Sequence, residues 1–257
     1  PDAREIIEGA VATRRYTNFP NAQVGYARAG GFQRIYAGLI EAAAPKTVRA
    51  TVTDVDLEAR EIGLSCGRRM PYRRLISTMP LTDLVGISNA PPTIRNHAGK
   101  LRHNSLYLVN FAVSFKGPRS PIQRAYCCDA DVPFHKLVLN YNSSDDLRSR
   151  DVIAIQAEVS HSPFKHVDVA SLSDQCWAAI RRMKLVPDDA QIVDQSIIGI
   201  DKAYPVFTID TDDSRAAIVD YLESRFVFCA GRFGEWLYIN SDDAVARGLA
   251  AAIKAVR

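Results

Sequence analysis

The sequence predicts a mixed α/β (α+β) chain in which an opening and a closing segment flank an antiparallel-sheet domain. Three stretches carry that expectation. Residues 48–76 alternate apolar and polar positions (Val48, Ala50, Val52, Val55, Leu57, Ile62, Leu64) with turns near 58–60 and 66–69, the pattern of a small antiparallel meander. Residues 81–205 hold runs of strands with one crossing helix, which suggests an antiparallel sheet with helices on one side. Residues 226–257 read as strand, glycine turn and capped helix. The expected divisions are 1–80, 81–205 and 206–257.

In chain order, residues 1–18 show a short helical pattern of Ile6, Ile7, Ala10 and Val11. Gly30 and Gly31 open a helix over 32–40 with Ile35, Leu39 and Phe32 on one face, and paired glycines let a backbone or ligand approach closely. Strands are expected over 106–115, 122–128, 136–140, 152–159 and 191–200. An amphipathic helix over 171–184 presents Leu172, Cys176, Ala179, Ile180 and Met183. As residues alone, Tyr204-Pro205 reads as a loop packing on the core. A helix over 210–224, with Ala216, Ala217, Ile218 and Leu222 inward, leads to the strand at 226–229.

Gly231 to Gly234 then form a turn with little side-chain bulk at either glycine. Asn240, Ser241 and Asp242 offer helix N-caps before Ala244, Val245, Leu249, Ala250 and Ile253 at helical spacing. A helix start of this kind presents free N–H groups and a positive dipole end, which suit a phosphate or a polar cofactor edge.

The string Gly231-Arg232-Phe233-Gly234-Glu235-Trp236, followed by Tyr238, Asn240, Asp242 and Gly248, resembles the C-terminal signature of a flavoprotein superfamily. That superfamily includes protoporphyrinogen oxidase-like proteins, flavin amine oxidases and UDP-galactopyranose mutase. Ser241 departs from it, for many relatives carry Met there. The residues 75–80, Leu-Ile-Ser-Thr-Met-Pro, and the segment with Tyr26, Gly30 and Gly31 resemble further elements of the same group, although Ala27-Arg28 stands where relatives often have Pro.

The resemblance implies a segmented FAD-binding domain around an antiparallel substrate domain. It implies cofactor contacts at Val52, Thr78, Pro80, Gly231, Arg232, Phe233, Gly234, Glu235, Trp236, Asn240, Ser241 and Asp242. It implies a substrate cavity bounded by Tyr26, Gly30, Gly31, Tyr204 and Trp236, with Arg232 and Tyr204 facing the chemistry. The activity implied is hydride transfer from a small-molecule substrate to FAD. A nucleotide-sugar mutase without net oxidation is the alternative, as is a binding module that has lost catalysis.

Members of that group open with a strand and a G-x-G-x-x-G turn for the cofactor pyrophosphate, and no such string occurs in these 257 residues. The expectation is therefore that an upstream segment or a separate chain of about 100–200 residues carries it, or that it has been lost. Association with a second copy is left open.

Composition narrows the classes. Hydrophobic content of 47% and charged content of 24% are those of a globular protein, and a net charge of +3 with scattered arginines gives no nucleic-acid footprint. No apolar run approaches a membrane span. Five cysteines without a CxxC pair suggest reduced thiols and a cytoplasmic setting, and the five histidines show no metal-ligand spacing.

Overall fold

A computed structural model describes residues 25–256 together with Ile7 and Val11. The helical pattern expected over 1–18 otherwise lies outside the described residues. Among these residues ten strands form three sheets. β1 (Val52–Asp56), β2 (Glu61–Leu64) and β3 (Arg69–Pro71) make the antiparallel meander, with Val55 and the following Leu57 turned inward at 2% and 1% exposure.

The next strand leaves that sheet. β4 (Leu75–Ser77) pairs in parallel with β10 (Val227–Cys229), Leu75 opposite Val227 and Ser77 opposite Cys229. Parallel neighbours need a crossover, and here the crossover contains the whole sheet domain.

That domain is a five-stranded antiparallel sheet in the order β6-β7-β8-β5-β9. Its strands are β5 (Arg102–Ser114), β6 (Arg124–Tyr126), β7 (Lys136–Leu139), β8 (Val152–His161) and β9 (Gln191–Val206). β9 is longer than the sequence suggests. It carries through Tyr204 and Pro205, which therefore sit on an edge strand instead of the expected loop, the place where a strand proline is tolerated.

Seven α-helices follow one another along the described chain: α1 (Ala37–Ala43), α2 (Leu81–Ile87), α3 (Pro92–Ala98), α4 (Asp145–Arg148), α5 (Val169–Arg182), α6 (Thr211–Ser224) and α7 (Ser241–Val256). α5 starts where Asp168 accepts the Ala170 N–H at 3.1 Å. It lays Leu172, Cys176, Ala179 and Ile180 on Val109, Phe111 and Ile155 of the sheet. Each such fully buried aliphatic stabilises by about 1.5–3 kcal/mol.

The helix expected over 32–40 is instead a 3₁₀ turn (Phe32–Tyr36) running into α1. Phe32, Ile35 and Leu39 are 52%, 50% and 61% exposed, so its apolar face has no core to pack on. The segment is held from its entry, where Arg28 pairs with Asp145 at 3.1 Å and the Asp145 N–H donates to the Arg28 carbonyl at 2.9 Å. Gly30 and Gly31 take φ of 80° and 71° there.

A second core lies under the parallel pair. Leu81, Leu84 and Val85 of α2, with Ile94 and Ala98 of α3, pack on Ile218 and Leu222 of α6, Val227 and Trp236. This core continues to Leu101, past the division expected at residue 80. Ala216 of α6 is exposed, and Ser214 takes the inward place beside Ile218. Among the described residues no helix is long and apolar enough to cross a membrane.

Candidate functional site

The candidate site stands where β4 and β10 end side by side. Past Ser77 the chain runs through Thr78 and Pro80 into α2; past Cys229 it enters the turn at 230–236. The two exits are bonded to each other. The Ala230 N–H donates to the Ser77 carbonyl at 3.0 Å and the Leu81 N–H to the Phe233 carbonyl at 3.0 Å.

The turn's two glycines serve different ends. Gly231 adopts φ 88°, a conformation that costs a residue with a Cβ about 1–2 kcal/mol, and the space beside it is open. A Cβ on Gly234 would lie 2.2 Å from the Ala230 carbonyl oxygen and 3.1 Å from that of Ser77. Gly234 is thus a close-packing requirement between the two exits, and Gly231 leaves the space of a side chain empty.

Arg232 is half-buried and fixed. Its Nε and Nη2 both donate to the Ile239 carbonyl, at 3.0 and 2.6 Å. Its guanidinium lies 5.1 Å from the Tyr204 ring and 5.2 Å from the Tyr238 ring, and the two rings stack on each other at 5.8 Å. Cation–π contact and bonding to one carbonyl fix the fork while Nη1 makes no hydrogen bond among the described residues.

Glu235 closes the turn on itself. Its Oε2 accepts the Gly231 N–H at 3.1 Å and its Oε1 pairs with Arg247 of α7 at 2.7 Å. Trp236 is fully buried, at φ 53°, with its indole N–H lacking a partner. It packs edge-on against Phe233 and His103, so it supports the turn from within the core and does not stand at an open cavity wall. Asn240, Ser241 and Asp242 are exposed at the start of α7. The cap is completed from the other direction, for the Asn240 N–H donates to Asp243 Oδ2 at 3.4 Å.

Other expected site residues lie apart. Val52 begins β1 and packs at the margin of the second core. Tyr26 contacts Arg124 of β6, its hydroxyl accepting from Nη2, and the Gly30 N–H donates to Asp146 at 3.5 Å. β6 and β9 are opposite edges of the sheet, four strand spacings or about 19 Å apart. Tyr26 thus stands beside the β6 edge and Tyr204 on the β9 edge.

Some neighbours carry no role in the sequence reading. Tyr238 completes the aromatic pair on Arg232. Lys202 Nζ bridges Asp83 of α2 and Asp201 at 3.1 Å each, tying β9 to α2. Burial first, and the Lys202 charge next, hold the nearby His103 imidazole below its ordinary value. Burial likewise pushes the Cys229 thiol up to about 12, with Glu235 and Glu223 adding to it. Only the aromatic at 238, two residues past Trp236, offered a sequence signal.

No family model matches the chain. The fold, however, is that of several solved structures. A reduced UDP-galactopyranose mutase superposes with TM-score 0.81 at 24% identity, over 88% of this chain and 51% of that one. A protein described as a protoporphyrinogen oxidase from Exiguobacterium sp. 255-15 gives 0.61 at 13% over 86% and 51%. A fatty acid isomerase from P. acnes that produces CLA gives 0.62 at 14% over 88% and 51%. The chain thus spans about half the length of these structures.

Proposed function

We propose that this chain forms the substrate-facing sheet and the flavin-capping turn of an FAD-dependent oxidoreductase. The observation that supports it is the parallel β4–β10 pair, whose bonded exits leave the space of a side chain empty at Gly231 beside an Arg232 fork fixed between Tyr204 and Tyr238.

The residues present fit the cofactor. Open space at Gly231 admits a planar ring edge, and the first N–H groups of α7 suit a polar chain. Thr78 and Pro80 would flank it from the β4 exit, and Phe233, Gly234 and Glu235 hold the turn in shape. When bound, FAD supplies hydride acceptance. Arg232 offers its free Nη1 to an anionic group, Tyr204 shields that contact from water, and the Glu235–Arg247 pair keeps the turn from opening.

Flavin content is the test. In the protein purified with its dinucleotide-binding part, Gly231→Val should lower the visible flavin band relative to protein while the fold is retained. Unchanged flavin content in a folded variant would overturn the reading.

The higher TM-score to the mutase, 0.81 against 0.61 and 0.62, favours a second reading. In it the same site rearranges a nucleotide sugar without net oxidation. Turnover of a nucleotide sugar that consumes no electron acceptor would select it over the oxidase.

A further inference from the structure

A cavity of about 570 Å³ opens at the end of the five-stranded sheet, where β5 begins and β9 ends. Its walls are largely apolar: Leu101, Pro163, Phe164 and Val206. That volume lies in the range of small-molecule sites. Among the polar side chains of the lining, which include His103, Ser162 and Thr208, two stand out. Arg102 stands at the margin, exposed, with one hydrogen bond to the Gly99 carbonyl at 2.8 Å and no ion pair among the described residues. Asn104 also lines the space, and its Oδ1 is buried without any hydrogen-bond partner. A buried acceptor left unpaired costs about 1–3 kcal/mol, so a donor brought by a ligand is favoured there.

The hairpin tip beside the cavity adds to this. Phe164 is 92% exposed although it is a cavity wall, so it has apolar surface that a bound molecule would cover. The neighbouring charges favour an anion. Lys100 is already paired with Asp210 and Lys165 reaches the Ser160 hydroxyl, and neither lines the cavity, which leaves Arg102 as the cation in its lining.

We propose that this cavity binds a small amphipathic anion: an apolar body, one carboxylate or similar charge for Arg102, and one hydroxyl to donate to Asn104 Oδ1. The site stands apart from the flavin reading, because its lining requires no cofactor.

The test is calorimetric titration of the full chain with ω-hydroxyoctanoate. Octanediol, which lacks the charge, and octanoate, which lacks the donor, are the comparisons. The hydroxy acid should bind saturably, with a dissociation constant of about 1 mM or tighter. Octanediol should bind about tenfold more weakly and octanoate several-fold more weakly. Arg102→Gln should erase the difference between hydroxy acid and diol. Phe164→Ala, at an exposed tip that cannot unsettle the core, should weaken all three. Val206→Trp should fill the space and abolish binding, with circular dichroism confirming its fold. No saturable binding of the hydroxy acid would overturn the proposal. Equal affinity for hydroxy acid and diol, or affinity unchanged in Phe164→Ala, would overturn it as well.

Discussion

The guanidinium of Arg232 lies 5.1 Å from the Tyr204 ring, so a side chain of the C-terminal turn is held against the far end of β9. The contact joins two segments almost thirty residues apart in sequence and belonging to different cores. It makes the position of the turn depend on the sheet domain. Lys202, two residues before Tyr204, adds a second tie through Asp83.

Arg232→Lys should therefore cost stability although the charge is kept. A lysine loses the fork on the Ile239 carbonyl and most of the stacking on Tyr204 and Tyr238. The expected loss is about 1–2 kcal/mol. A lower urea midpoint with an unchanged slope would show it. Coincident unfolding curves would refute the role given to the fork.

The two glycines of the turn should separate cleanly. Gly234→Ala sets a Cβ against two backbone oxygens that belong to the β4 and β10 exits, and neither can yield without moving a strand end. Gly231→Ala meets no atom and carries only the cost of its φ, about 1–2 kcal/mol. Denaturant unfolding should rank Gly234→Ala as the more damaging. The reverse order would mean that the turn is held by something other than this close approach.

Stability should fall as pH drops from neutral. Burial is the largest cause holding both His103 and His135 below the ordinary imidazole value. Lys202 reinforces it at His103; at His135 Glu158 opposes it, while Lys136 and Lys165 add to it. A folded pKa below the unfolded value of about 6.5 gives stability that is present above that pH and lost as pH falls through the folded value. Unfolding free energies measured from about pH 7.5 down to about pH 5 should decline. His103→Gln with His135→Gln should flatten the decline, and an equally steep curve in the double variant would exclude these groups as its source.

Thiol reactivity should divide the cysteines by depth. Cys66 and Cys128 are exposed, whereas burial pushes Cys176 and Cys229 up to about 12. A disulfide reagent at mildly alkaline pH should modify Cys66 and Cys128 first. It should reach Cys176 and Cys229 only after denaturant is added. Mass spectrometry that found Cys229 modified in the native protein would contradict its placement.

The meander, the five strands and α5 were legible because alternation and helical spacing are strong where one face is buried, as at Val109, Phe111 and Leu172. The short helices α2 and α3 were not. Residues 81–101 received no helix assignment, yet Pro92 occupies the first turn of α3, where a missing N–H is harmless. The site was half legible. Gly231 and Gly234 stand out as glycines, but the different demands on them appear only in φ and in the oxygens around Gly234. Trp236 read as a cavity wall because nothing in its neighbours signals that the turn folds it inward. Nor could sequence tell that Arg124, which Tyr26 contacts, and Tyr204 occupy opposite edges of the sheet, since strand order is set by long-range pairing.

The surface around β4, β10 and α7 is apolar and uncovered among the described residues. The parallel sheet has two strands, and neither has another neighbour among the described residues. Ile76 of β4 is 41% exposed, and Phe226 just before β10 is 37% exposed. On α7, Val245, Leu249 and Ile253 are 46%, 64% and 45% exposed at four-residue spacing, a continuous stripe on one helix face. Ala251 is its one buried side chain. Open strand edges and an apolar stripe together invite a covering layer, and burial stabilises by about 25 cal/mol per Å². The 257-residue chain purified alone is therefore expected to be colourless, or to be associated with a second polypeptide or copy that covers this surface. An absorbance spectrum taken beside a molar mass from light scattering decides it. A yellow monomer with one flavin per chain would overturn the expectation, for the pyrophosphate would then be held without a G-x-G-x-x-G turn. A yellow complex with a partner that carries such a turn would support a flavoenzyme whose substrate-facing half is this chain.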